Sequence, residues 1–241
     1  MATIFNQFDS NDQLVAALGL AIIEQLKDGI IEKGNATLAV SGGNSPRPLF
    51  DYLSQQDIHW PAVTVTLVDE RWLSESHEDA NSYLVNHVLR QNKATEAKFI
   101  SLYNGMVSPY EAEPDINNRL QQLSLPFDVV ILGMGEDGHT ASFFPQAANL
   151  PNALFTEHKC CAITPPSAPY QRMTLTLPTL LNTKRLFLHI TGEKKRKVLN
   201  KAMSIDLDSN HLQKSFDVIN EYPIRSVLYQ NQPPLEIYYA D

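Results

Sequence analysis

The residues best suited to chemistry stand in one run, Gly133-Met134-Gly135-Glu136-Asp137-Gly138-His139-Thr140. His139 can take and return a proton near neutral pH, and an imidazole is the side chain most often used for general acid–base work. Asp137, two residues earlier, is a carboxylate within reach to steady the loop that carries the histidine. The glycines permit positive φ and let a ligand approach the main chain closely. Their spacing, Gly133-x-Gly135-x-x-Gly138, also matches a dinucleotide-binding fingerprint. That fingerprint needs a helix running on from the third glycine and an acid about 20 residues later at the end of the next strand. Here Phe143-Phe144-Pro145 stops any such helix, and Glu157 precedes the next apolar run, Cys160 to Ile163, where it ought to end it. The nicotinamide reading is set aside. Against it stands the plain alternative that His139 only completes a turn.

Other segments carry groups that would complete a site. Ser41-Gly42-Gly43-Asn44-Ser45-Pro46 is a loop whose backbone N–H groups and following helix could receive an anion. In it Ser45 is placed as the helix cap, with Pro46 in the first turn. Asp69-Glu70-Arg71 offers two carboxylates and a cation, and Gly192-Glu193-Lys194-Lys195 another cation. Each is ambiguous alone: most glycine pairs only make turns, and Lys194 to Lys197 is a basic run of the kind found on solvated helix faces. His77-Glu78-Asp79 lacks metal-ligand spacing and is read as a helix start, where acids suit the macrodipole.

These groups need a frame. Val129-Val130-Ile131-Leu132 reads as a strand buried on both faces, as do stretches around residues 38, 66 and 187. Each leads into one of the polar loops. A helix from a Ser10 cap to Gly34 repeats Leu14, Leu18, Ile22, Leu26 and Ile30 on one face. Further helices are expected through Leu49 to Leu53, through Leu84 to Leu89, over 109–123, and from Gly192 to about Met203. Strands are expected at Lys98 to Leu102, Cys160 to Thr164, Arg172 to Leu177, Ile224 to Tyr229 and Leu235 to Tyr239. Alternating strands and helices imply a parallel sheet, whose strand ends of one polarity lie along one edge. The polar loops therefore converge. Amides, cations, carboxylates and one histidine on one rim suit a small phosphorylated substrate.

Composition narrows the field. The 241 residues are 43% apolar and 19% charged, with a net charge of −8 from 27 acids and 19 Lys plus Arg. Such a surface argues against nucleic-acid binding. No apolar run reaches the ~20 residues of a bilayer span, and Met1 to Asn6 lacks the pattern of a signal peptide. Cys160 and Cys161, the only cysteines, read as buried thiols, which points to the cytosol. No repeats or linkers appear, so residues 1–241 are expected to form one domain.

Ser41-Gly42-Gly43-x-Ser45-Pro46, Asp69-Glu70-Arg71, the block from Gly133 to Pro145, Arg172-x-Thr174 and Gly192-x-x-Lys195 occur in an order that resembles the 6-phosphogluconolactonases, within a wider group that includes glucosamine-6-phosphate deaminases. The resemblance implies a Rossmann-like three-layer α/β sandwich with a mostly parallel central sheet. It implies hydrolysis of 6-phosphoglucono-δ-lactone to 6-phosphogluconate, the second step of the oxidative pentose phosphate pathway, without metal or cofactor, by a cytoplasmic monomer or homodimer. His139 would be the general base, with Asp137 and Asp69 as its catalytic companions. Gly42, Gly43, Asn44, Ser45, Arg71, Arg172 and Lys195 would hold the substrate and its phosphate. No Gly-x-Ser-x-Gly elbow exists, and an activated ester needs no covalent nucleophile. A deaminase would carry a glutamate where Phe144 stands, before Pro145. A sugar-phosphate sensor on the same fold could dispense with the histidine.

Overall fold

The computed structural model describes residues 3–204 and 216–241. Seven parallel strands form the central sheet in the order β1-β10-β9-β6-β2-β3-β5, with helices on both sides. They are β1 (Thr3–Phe8), β2 (Ala36–Val40), β3 (Val63–Leu67), β5 (Lys98–Ile100), β6 (Phe127–Leu132), β9 (Thr183–Thr191) and β10 (Leu235–Ala240). The middle strands are apolar because both faces are covered: every residue of β2 and β6 is buried. Register is close across the centre, with Leu38 opposite Val129 and Ile131 opposite Phe187.

Helix α1 (Asn11–Lys33) begins and ends as the residues require. The Ser10 hydroxyl accepts from the Gln13 N–H at 3.3 Å, and Gly34 takes φ +75° as its N–H reaches the Ile30 carbonyl. Leu14, Leu18, Ile22 and Leu26 on its inner face are wholly buried.

From β2 the chain steps outward one way, through β3 to β5. From β6 it steps the other way, through β9 to β10, with the amino-terminal β1 at the edge beyond β10. The direction reverses between β2 and β6. In open α/β sheets a crevice forms beyond the strand carboxyl ends at such a reversal, and ligands bind there.

A second, antiparallel sheet was not foreseen. Its strands are β4 (Asp69–Arg71), β8 (Arg172–Leu175) and β7 (Cys160–Ile163), in the order β4-β8-β7. It stands over the carboxyl edge because β4 follows β3 after a single residue, Val68. The expected strand at Ile224 to Tyr229 is instead a short helix, Arg225–Leu228. A buried apolar run has no diagnostic period. Buried Arg225 ties this helix down through the Glu221 carboxylate (2.7 Å) and the Val218 carbonyl (2.8 Å), while β10 and β1 fill the sheet positions beyond β9. The edge strand β1 also escaped notice, since Thr3 to Phe8 is half-exposed and short. No described helix is long and apolar enough to cross a membrane.

Candidate active site at the carboxyl edge of the sheet

A cavity of about 290 Å³ lies at the reversal between β2 and β6. Gly42, Gly43, Asn44, Ser45, Asp69, Arg71, His139, Arg172 and Lys195 all line it. Asp137 does not. It stands behind His139, with Oδ1 2.5 Å from the ring Nδ1 and 3.1 Å from the backbone N–H of the same residue.

Backbone bonds fold the histidine loop back on itself. Gly135 N–H donates to the His139 carbonyl (2.9 Å), Gly138 N–H to the Gly135 carbonyl (3.1 Å), and the Thr140 hydroxyl to the Gly133 carbonyl (2.8 Å). A Cβ on Gly135 would stand 2.2 Å from His139 Cε1 and 2.7 Å from Asp137 Oδ1, so the histidine–aspartate pair needs that glycine. The His139 ring stacks on Phe144, centroids 4.3 Å apart. Burial pushes the Asp137 carboxyl up, but the hydrogen bonds and charge of His139 outweigh this and hold it below the usual carboxylate range.

The cations arrive from two directions. Arg71 on β4 and Arg172 on β8 are direct cross-strand partners, a placement that normally destabilises a sheet. Among the described residues neither has a carboxylate within 4 Å to neutralise it, and neither does Lys195. The Arg71 Nη1 donates to the Asp79 carbonyl (2.5 Å) and the Arg172 Nη2 to the Pro169 carbonyl (3.0 Å), while the buried Arg172 Nε has no partner among the described residues. Burial lowers the Arg172 pKa; Asp69 opposes the shift and Arg71 adds to it. Burial likewise lowers that of Lys195, whose Nζ lies 3.5 Å from the Ser45 hydroxyl. Ser45 is thus no helix cap: Pro46 holds the cap position of helix α2 (Arg47–Ser54) with no side-chain bond, and Ser45 faces the cavity.

Asp69 is buried and held from two sides. Its Oδ2 accepts from the Ser142 hydroxyl at 2.6 Å, and Asn81 Nδ2 donates to its backbone carbonyl at 2.8 Å. Asn81, unremarked in the sequence, also explains Gly42, where a Cβ would fall 1.9 Å from the Asn81 Oδ1. The helix that Asn81 opens is capped from afar. Glu70 accepts from the N–H groups of Asn81 (2.7 Å) and Ser82 (2.8 Å), whereas Asp79, expected in that role, receives the Tyr170 hydroxyl. No local pattern could reveal a cap supplied from eleven residues away. His189 is another wall residue that was missed. Among the described residues no three His, Cys, Asp or Glu side chains gather as a metal-holding group.

An open α/β sheet with an imidazole–carboxylate pair and uncompensated cations at its reversal point defines a class: proteins that bind small anionic ligands at the strand ends. Residues 9–232 match the family described as glucosamine-6-phosphate isomerases/6-phosphogluconolactonase. The chain is 41% identical over 194 residues to a 6-phosphogluconolactonase of Pseudomonas aeruginosa, covering 79% of this chain and 82% of that one. It is 34% identical over 242 residues to one of Neisseria meningitidis, covering 99% of each. The crystal structure of a 6-phosphogluconolactonase from Shewanella baltica superposes with a TM-score of 0.93 at 38% identity, over 99% of this chain and 98% of that one. The chain belongs to the glucosamine-6-phosphate isomerase/6-phosphogluconolactonase family.

Proposed function

We propose that the protein is a 6-phosphogluconolactonase, hydrolysing 6-phosphoglucono-δ-lactone to 6-phosphogluconate in the oxidative pentose phosphate pathway. The observation that carries this reading is a single cavity lined both by a carboxylate-oriented imidazole and by three cations that have no carboxylate within 4 Å among the described residues. It is supported by the names of relatives matched over nearly the whole chain.

In the mechanism, His139 donates its Nδ1–H to Asp137, which leaves the Nε2 lone pair free to face the cavity. That nitrogen removes a proton from a water as its oxygen attacks the lactone carbonyl carbon. The tetrahedral intermediate then collapses, the C1–ring-oxygen bond breaks, and the imidazolium returns its proton to the departing oxygen. Asp137, held ionised, stabilises the transient positive charge on the ring. Arg71, Arg172 and Lys195, with Gly42, Gly43, Asn44 and Ser45, hold the phosphate. Asp69, fixed by Ser142, receives a sugar hydroxyl or directs the water. The deaminase reading is weaker because Phe144, stacked on His139, cannot carry a proton. We take residues 1–241 as one domain acting in the cytosol, as a monomer or homodimer.

The test compares lactone hydrolysis by the wild type with the uncatalysed rate at matched pH, with glucosamine 6-phosphate as the counter-substrate. Hydrolysis of the lactone and none of the amino sugar is expected. His139→Asn should lower kcat by ~10²–10⁴-fold, the usual contribution of a general acid–base group. A variant with full activity would remove His139 from the chemistry.

A further inference from the structure

His189 lies near the carboxyl end of β9, before the Gly192 loop and opposite Tyr238 of β10, in a strand that is otherwise apolar core at this point. A histidine there would ordinarily be a satisfied interior residue. It is not satisfied: the side chain is 3% exposed and lines the cavity, and its enclosed Nε2 has no hydrogen-bond partner among the described residues. Buried polar atoms are nearly always paired, so an imidazole left unpaired at a cavity wall calls for a ligand. Its charged neighbour is Lys195, whose Nζ approaches Ser45 across the same wall.

We infer that His189 is a further substrate-binding residue, its imidazole N–H donated to the phosphoryl group that Lys195 and Ser45 hold. The inference rests on the lactonase reading for the identity of the phosphate. Burial first, and Lys195 second, hold the His189 pKa down at about 4, so the ring is neutral at working pH. A neutral donor suits this position. It adds a directed hydrogen bond to the anion without a further positive charge beside Lys195, whose own charge is already disfavoured by burial. An apolar residue would fill the strand equally well and offer the phosphate nothing.

The experiment uses inorganic phosphate and the phosphorylated and unphosphorylated lactones with wild type, His189→Leu and His189→Gln. A lost hydrogen bond to a charged group corresponds to about 10- to 100-fold in affinity. His189→Leu should therefore raise KM for the phosphorylated lactone, and the inhibition constant of inorganic phosphate, by about that factor. The rise for unphosphorylated glucono-δ-lactone should be clearly smaller, and Gln, which keeps an N–H, should recover part of the loss. In the wild type the His189 ring N–H resonance should move on titration with phosphate, a readout that needs no variant to fold. Equal KM and phosphate affinity in the Leu variant, equal losses on both lactones, or an unmoved resonance would each overturn the assignment. A wild type without lactonase activity would overturn the functional reading instead, and the phosphate titration would still decide His189.

Discussion

The two ends of β6 carry similar chemistry put to opposite use. At the amino end Asp128 is wholly buried and its charge is answered by two lysines and a threonine, although Oδ1 has no hydrogen-bond partner among the described residues. Lys33 Nζ lies 2.9 Å from Oδ2 and Lys184 Nζ 3.5 Å from Oδ1, and the Thr37 N–H and hydroxyl donate at 2.8 and 3.3 Å. At the carboxyl end the balance is inverted. Arg71, Arg172 and Lys195 line a cavity, and among the described residues none of the three has a carboxylate within 4 Å, although Asp69 lines the same cavity and Asp69 and Glu70 directly precede Arg71. Those two acids are occupied elsewhere, Asp69 by Ser142 and Asn81, Glu70 by backbone amides. Charge closed on itself holds a fold together; charge left open along one rim fits a ligand that brings the missing anion.

The largest effect should come from breaking the closed end. Asp128→Ala strands the buried Thr37 N–H and leaves Lys33 without its carboxylate, while Lys184 keeps only Glu32. Loss of one partner of a buried pair costs 3–5 kcal/mol. Lys33 and Lys184 are 27% and 30% exposed and can turn to water, so about 3 kcal/mol is expected. In a chain of this size that lowers Tm by roughly 6–12 °C. Activity per folded molecule should not change. This is the mirror of His139→Asn, which should spare Tm and lose kcat. A large fall in kcat for Asp128→Ala at temperatures where it is folded would show that the two ends are not independent.

Glu70 sharpens the contrast, being a wholly buried carboxylate at the open end with only N–H donors about it. Arg71, Asn81 and Ser82 donate from the backbone at 2.7, 2.7 and 2.8 Å. Burial still prevails over them and raises its pKa from 4.5 to about 7. The folded chain therefore binds this proton more tightly than the unfolded chain. Its contribution to stability is full below pH 4.5 and is lost as pH rises to about 7. Glu70→Gln does not titrate, so the wild type should lose Tm relative to this variant across that window, by at most a few kcal/mol in free energy, and hold steady above it. A difference in Tm that is flat from pH 4 to 8 would mean that Glu70 titrates alike in both states.

Two glycines make room for the two carboxylates, and alanine tests each end with the same added methyl group. A Cβ on Gly135 would strike the His139 ring, and one on Gly29 would stand 2.6 Å from Asp128 Oδ1. Gly135→Ala should cost kcat on the order of 10²-fold by displacing the base. Gly29→Ala should cost about 1–3 kcal/mol of stability through overpacking, despite the ~1 kcal/mol that alanine normally gains in a helix. Stopped assays and thermal melts on both variants separate the effects. The same loss in both assays for both variants would erase the distinction.

Much of this was legible in the residues. Periodicity and caps marked α1 from Ser10 to Gly34, and apolar runs marked β2, β3, β6 and β9, so the convergence of their loops followed from parallel topology alone. What stayed hidden depends on partners distant in the chain. The cross-strand meeting of Arg71 with Arg172 needs the second sheet. Asn81 matters only because Gly42 and Asp69 are folded against it. His189 looked like one more residue of a core strand, since burial without a hydrogen-bond partner cannot be read from sequence. The helix at Arg225–Leu228 passed for a strand because an arginine, normally excluded from a core, is neutralised there by Glu221.

The mildest change should also be the most diagnostic. Arg71 faces Arg172 across the β4–β8 pair, and like charges directly opposite are destabilising. Arg71→Ala removes that repulsion along with one bond to the Asp79 carbonyl. These oppose each other and are each ~1 kcal/mol or less, so Tm should stay level or rise slightly. Phosphate binding, however, loses one of its cations, and KM for the phosphorylated lactone should rise by about 10-fold with kcat nearly unchanged, the pattern of binding lost equally from ground and transition states. The sign is the point. Removing a charge from the amino end must destabilise, because its counter-charges are inside the protein. Removing one from the carboxyl end must not, because its counter-charge arrives with the substrate. Kinetics and melts on the one variant decide it: a Tm several degrees lower with KM unmoved would make Arg71 a structural residue and bring the two ends of the strand back to a single logic.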